Sequence, residues 1–218
     1  MYLPAPFRRE DGPELRAFMR AHAFVTLVSL LDGELVASPL PVTLAERAGG
    51  LVLEGHLARA NSHTRAFVRP GSGSETPLEP NPPESLVLFG GPHAYVSPRH
   101  YAARASVPTW NYQAVHAYGV PQAVEDAAGL ERLLAALIAE HEPEYGAQWN
   151  GLSERYRSGM LRGIVGFELR VTRLYAKDKL SQNRPRADRE RVAAALGSED
   201  DKDARALGMA MRRTLEKG

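Results

Sequence analysis

FGGPHAYVSPRHYAARASVPTWNY, residues Phe89 to Tyr112, is the stretch on which the reading of this chain turns. It sets Gly90, Gly91, Pro92, Pro98 and Pro108 among His93, Tyr95, His100, Tyr101, Trp110, Asn111 and Tyr112. So many breakers exclude one continuous helix or strand, and so many rings exclude a solvated linker. Aromatic rings beside amide and imidazole groups, on a backbone stiffened by prolines and opened by glycines, suit a flat ligand with polar edges. The competing expectation is a long ordered loop whose rings fill gaps in a core.

Upstream of this segment, Asp11, Pro13 and Glu14 read as the cap, first turn and capping carboxylate of a helix of about ten residues ending near His22. Ala23 to Leu31 is β-rich, and Asp32-Gly33 is a hairpin turn into the returning run Glu34 to Leu44. Pro39 and Pro41 lie on one face of that run and fit an edge strand or a bulge. Leu51 to His56 is a third strand, passing into LARANSHTRAF and a short helix. The Pro-, Gly- and Ser-rich stretch from Arg69 to Ser85 is an exposed excursion, since strand sequence resumes at Leu86.

Downstream, Tyr112 to Val124 reads as a strand bulged at Gly119 and Pro121. Asp126 caps a helix whose Leu130, Leu133, Leu134, Leu137 and Ile138 form an apolar stripe. A second helix runs from Ser153 to about Arg162, and Ile164 to Tyr175 returns as one alternating strand. Pro185 opens a helix carrying Val192, Ala195 and Leu196, and Glu199 to Asp203 is a charged break before a short, fraying final helix. About seven strands with irregular helices favour an antiparallel barrel with peripheral helices over regular βαβ units.

Composition bounds the function. The 218 residues carry 24% charged and 44% hydrophobic side chains with a net charge of +1, an ordinary globular profile with no dedicated polyanion surface. Without cysteine there are no disulfides or thiolate ligands. No apolar run is long enough to span a bilayer, and MYLPAPFRRED lacks the apolar core of a secretory signal, so a cytoplasmic protein away from membranes is expected.

Three segments carry candidate chemistry. HLARAN, with His56, Ala58, Arg59 and Asn61, offers a guanidinium fork and an amide where a strand turns toward a helix, a cradle for phosphate. No phosphate-binding glycine motif accompanies it. VPTWNY places Trp110 and Asn111 to stack on a ring and bond its edge. KLSQNR supplies Lys179, Ser181, Gln182 and Asn183, and His93 and Tyr95 come from the aromatic stretch. The histidines show no metal-binding spacing. Arg184, Arg186, Arg189 and Arg191 offer a contact for a nucleic-acid backbone, interrupted by Asp188 and Glu190.

Taken in order, MYLPAPF, HLARAN, GPHAYVSP, VPTWNY with VHAYG, and KLSQNR resemble the FMN-binding negative transcriptional regulator family, the PaiB-like proteins. The resemblance spans Met1 to about Leu196. It departs at Ser62, where the family carries proline, and in a longer Pro70–Ser85 loop. It implies a mainly β protein with peripheral helices, a split β-barrel of the pyridoxamine-phosphate-oxidase type. A barrel domain over 1–176 would precede a helical extension, 177–218, packed on the barrel or on a dimer partner. It further implies a homodimer with FMN at the subunit interface. Arg59 and Asn61 would take the phosphate and ribityl end, Trp110 and Asn111 the ring, and Lys179, Ser181, Gln182 and Asn183 would close the site or meet the ring's pyrimidine edge. Repression of transcription, with DNA as partner, is the function implied. A flavin-dependent oxidoreductase, with His93 or Tyr95 nearby, and a haem-binding relative of the fold are the alternatives.

Overall fold

In the computed structural model, residues 1–67 and 83–216 are described. In chain order they form β1 (Arg8–Arg9), α1 (Pro13–Ala21), β2 (Phe24–Leu31), β3 (Glu34–Arg47), β4 (Gly50–Ala58), β5 (Ser85–Val96), β6 (Thr109–Gly119) and β7 (Pro121–Val124). Then follow α2 (Ala127–His141), α3 (Tyr145–Gly151), α4 (Glu154–Arg162), β8 (Ile164–Arg170), β9 (Arg173–Lys179), α5 (Arg186–Gly197) and α6 (Lys202–Glu216). Most of the Pro- and Ser-rich excursion falls at 68–82, outside the described residues.

The hairpin is built as its dipeptide dictates. Asp32 and Gly33 both take positive φ, 53° and 83°, the pair of left-handed residues that a two-residue turn between twisted strands requires. Leu31 then faces Glu34 and the register runs back to Phe24 opposite Pro41. Val42 donates its N–H to Ala23, so the even-numbered residues of β3 bond β2. Pro39 and Pro41, lacking an N–H, therefore point to the opposite side, where pairing with β4 begins only at Val42.

The chain forms two compact units, each drawn from separated segments. One comprises Met19–Phe89 and Ala117–Leu174. Its antiparallel sheet follows the order β5, β2, β3, β4, β8, β7, with β5 contributing its first residues. Val25, Leu27, Val42, Leu53, Val87, Phe167 and Leu169 form its core, none more than 2% exposed. Helix α2, capped by the Asp126 carboxylate on Gly129 N–H, packs Leu130 and Leu133 against Gly166. A side chain at Gly166 would meet Leu133 Cδ1 at 2.5 Å, which is why a glycine interrupts this apolar strand. Across the sheet, Arg47 and Arg132 both bridge Glu54 and Glu168, tying α2 to β3, β4 and β8.

The other unit comprises Met1–Phe18, Gly90–His116 and Tyr175–Gly218. Its strands run in the order β1, β9, β6, β5. Ala94, Val96, Tyr101 and Leu180 share a core with Val192 and Leu196 of α5 and Leu207, Met211 and Leu215 of α6. The two helices meet closely at Gly208, where an added Cβ would lie 2.7 Å from Gly197 N and 2.9 Å from Ala193 O.

Several expectations are corrected. The aromatic stretch is a loop only in its middle: β5 runs through Gly90, Gly91 and Pro92 to Val96, residues 97–108 form the connection, and β6 begins at Thr109. Gly91 is tolerated because the Phe18 ring occupies the space of its missing side chain, with Phe18 Cζ 2.5 Å from where a Cβ would stand. The strand expected over Ile164–Tyr175 is two, β8 and β9, separated at Val171 and Thr172. The final helix is neither short nor frayed, since α6 spans 15 residues and buries Leu207 and Met211 completely.

Candidate functional site

Strand β4 ends at Ala58, and the next residues form one cluster. Arg59 donates its backbone N–H to the Gly163 carbonyl, and its guanidinium reaches the turn between α4 and β8. Nε donates to the Arg162 carbonyl at 3.1 Å, one terminal nitrogen to the Ile164 carbonyl at 3.0 Å, and the other to Glu125 Oε1 at 2.8 Å. Three of the five guanidinium N–H groups are thereby used, and the side chain remains 46% exposed. Among the described residues two donors are left for an anion, with Glu125 as the internal counter-charge that such an anion would displace. That donor set fits a phosphate monoester.

Asn61 is the cap of a 3-10 turn over Ser62–Ala66, its Oδ1 accepting from His63 N–H at 2.9 Å. Behind it lies a buried polar chain that the sequence reading missed. His63 is 2% exposed; its Nδ1 lies 2.9 Å from Ser38 Oγ and its Nε2 2.8 Å from Ser29 Oγ, which meets Ser85 Oγ at 2.7 Å. Asn61 Nδ2 also donates to Ser38. Burial pushes the His63 imidazole below its ordinary value, so it is held neutral, one nitrogen donating and the other accepting. The effect is to pin the segment after Arg59 onto β2 and β3. His56 stands in β4 opposite Gly166, its imidazole likewise pushed down by burial, and Ala58 is exposed at the strand end. No local signal identifies the serine partners, since they lie far from His63 in sequence.

The remaining candidates gather in the other unit. His93 and Tyr95 alternate outward on β5 while Pro92, Ala94 and Val96 point to the core. Trp110, on β6, joins them: its ring centroid lies 6.1 Å from His93 and 6.1 Å from Tyr95, edge-on to the latter. Both Tyr95 and Trp110 are about half exposed. They form one wall of a cleft of about 240 Å³ whose other wall is Glu199, Asp201, Asp203 and Ala204. The acidic residues, which in the sequence mark only a charged break, have one visible signal: Asp201 sits three residues before Ala204 and caps α6, its Oδ1 accepting from Ala204 N–H.

Asn111 does not share this cleft. It is fully buried, its Nδ2 donating to Ser181 Oγ at 2.9 Å and lying 3.6 Å from Met211 Sδ, while its Oδ1 has no partner among the described residues. Ser181 itself is buried with φ of 63°, a left-handed position uncommon for serine. Lys179 donates to the Thr109 hydroxyl and, at 2.7 Å, to the Trp110 carbonyl, and burial draws its ammonium below the ordinary value. Gln182 bonds back onto Leu180 N–H and the Asp178 carbonyl, and Asn183 is exposed. Lys179 to Asn183 is thus a tight turn fastened to β6, with Asn183 at its tip. The basic helix is engaged internally. Arg186 pairs with Glu190, Arg189 donates to Thr214, and Arg191 to Asp188 and the His100 carbonyl.

The model of a family described as "Putative FMN-binding domain" matches residues 1–173. The chain is 34% identical to the protease synthase and sporulation protein PAI 2 of Bacillus subtilis, covering all of this chain and 99% of that protein. It is 30% identical to an uncharacterized protein of Aspergillus fumigatus, over 99% of this chain and 97% of the other. Among solved structures, the flavocytochrome Anf3 from Azotobacter vinelandii superposes with a TM-score of 0.58 at 13% identity, over 92% of this chain and 75% of that one. An FAD and heme binding protein from Mycobacterium smegmatis gives 0.54 at 17% identity, over 79% and 73%. The expected fold class, mainly β with peripheral helices in a split β-barrel, holds.

Proposed function

Because the chain belongs to the FMN-binding domain family, which assigns it FMN as cofactor, we propose that it acts as a homodimeric, FMN-loaded negative transcriptional regulator. The observation that carries the cofactor half of this reading is the strand end at Arg59. Its half-exposed guanidinium is held rigid by two backbone carbonyls and keeps two donors for a dianion. The full-length likeness to PAI 2, named a protease synthase and sporulation protein, supports the regulatory half.

In this reading Arg59 grips the phosphate, and Asn61 and His63 hold the segment that presents it. The turn Lys179–Asn183 of the second copy lies along the pyrimidine edge of the ring, where a cation stabilises negative charge on the ring. Bound FMN supplies reversible electron transfer, which makes redox state the natural input of such a regulator. Asn111 serves indirectly, fixing the left-handed Ser181 from the core.

Subunit mixing tests the arrangement. Arg59→Ala and Lys179→Ala each empty the site in a pure dimer. Randomly mixed, they recover about a quarter of the flavin, because half of the dimers are mixed and each of these keeps one intact site. No recovery contradicts a shared site. For regulation, the FMN-loaded dimer should retain discrete genomic fragments in a salt-dependent way, and reduction with dithionite should change that retention. Uniform, sequence-blind retention, or none, contradicts the regulator reading.

A further inference from the structure

We propose that the cleft between the aromatic wall of β5 and β6 and the start of α6 is a binding site for an organic cation, an alkylammonium or quaternary ammonium group. The inference rests on the cleft's own geometry and not on the flavin reading. Tyr95 and Trp110 are large rings left about half exposed, and they are braced edge to face with centroids 6.1 Å apart. Rings so exposed and so fixed present their electron-rich faces to whatever enters, and cations are what such faces attract.

The opposite wall has the matching sign. Glu199, Asp201 and Asp203 line it, and the His93 imidazole is the one basic group among the described lining residues, 3.7 Å from Asp203. Of the nearby cations, Arg205 is turned away, donating to the carbonyls of Glu199 and Asp200. Lys202 opens α6 beside the cleft but is absent from its lining. Three carboxylates against one imidazole repel the tail of any phosphate ligand and draw in an ammonium.

The size of the cation follows from spacing. Among the described residues no three His, Asp or Glu side chains stand close enough to hold a metal ion together. The carboxylates are spread along a cleft of about 240 Å³, room for a small organic cation. Asp201 is already committed as the cap of α6, so Glu199 and Asp203, the latter 3.7 Å from the His93 imidazole, are left to meet the ligand's charge, with Trp110 and Tyr95 packing on its methyl or methylene groups.

The test uses the full chain, as purified and again after saturation with FMN, with Trp149→Phe leaving Trp110 as the sole tryptophan reporter. Choline and n-butylammonium are titrated by fluorescence and calorimetry, with butyrate as the anionic control of equal length. Choline and n-butylammonium should bind while butyrate does not. Glu199→Gln with Asp203→Asn should weaken binding at least tenfold, and Trp110→Ala should do the same without changing the thermal midpoint. Equal response to butylammonium and butyrate overturns the proposal. So does undiminished binding in the carboxamide variant, or loss of binding once FMN is loaded, which would give the cleft to the flavin ring.

Discussion

Gly208 and Gly159 make opposed predictions from the same substitution. Both sit inside helices, where alanine is intrinsically favoured over glycine by about 1 kcal/mol. At Gly159 an added Cβ meets only the far end of Arg162 at 3.9 Å, so Gly159→Ala should stabilise by about 0.5–1 kcal/mol. At Gly208 the new methyl would lie 2.7 Å from Gly197 N, 2.9 Å from Ala193 O and 3.1 Å from Gly197 Cα. All three are backbone atoms, which cannot rotate aside, so α5 and α6 must separate. Forcing a methyl into a packed contact costs about 1–3 kcal/mol, and parting helices that bury Val192, Leu196, Leu207 and Met211 puts Gly208→Ala at the upper end. After the propensity gain, a net loss of about 1–2 kcal/mol is expected. The same cluster includes Ala94, Val96 and Leu180, so the change should also loosen the strand bearing His93 and Tyr95. Urea unfolding of both variants reads the difference directly. A Gly208→Ala protein as stable as Gly159→Ala would show that the two helices do not meet at backbone contact.

Arg47→Ala should cost about 1–3 kcal/mol in thermal or urea unfolding, more than a surface pair, because it takes a partner from Glu54, which is 4% exposed and then leans on Arg132 and Thr43. Acid should weaken the fold in two stages. The imidazoles of His56, His63 and His116 are pushed below the ordinary 6.5 by burial, so the unfolded chain binds those protons first and stability falls as pH drops below about 6.5. Burial works to raise the Glu168 carboxyl, but hydrogen bonds from Arg47 and Arg132 hold it below the ordinary 4.5, and its contribution is lost only as pH falls further, through that lowered value. A His63→Gln variant should show a shallower first stage in a pH series of melts; an unchanged slope would remove His63 from the account.

Local signals in the sequence are legible where neighbours settle them. Asp32-Gly33 needs only its own two left-handed residues, and the α2 stripe needs only its own periodicity. The path of β5 is not legible, because Gly91 and Pro92 look like breakers until Phe18, more than seventy residues earlier, is seen filling the space beside the glycine. Arg59 can be picked out as a guanidinium at a strand end, yet its partners Glu125, Arg162 and Ile164 lie 66 to 105 residues away and no local pattern names them. Trp110 and Asn111 look in the sequence like a pair facing one ring, but adjacent residues on a strand point to opposite sides. Trp110 accordingly faces the cleft and Asn111 the core. The length of α6 escapes a sequence reading because its apolar positions include alanines, glycine and methionines, small or flexible residues whose burial becomes evident only against α5.

The proposed grip of Arg59 on the phosphate is tested most directly by comparing FMN with riboflavin, which differ by that phosphate alone. Losing two charge-assisted bonds to it is worth about 3 kcal/mol or more, so wild-type protein should prefer FMN at least about a hundredfold in a fluorescence titration. In Arg59→Ala that preference should collapse toward unity while riboflavin affinity stays put. A variant that keeps the wild-type preference would contradict the account.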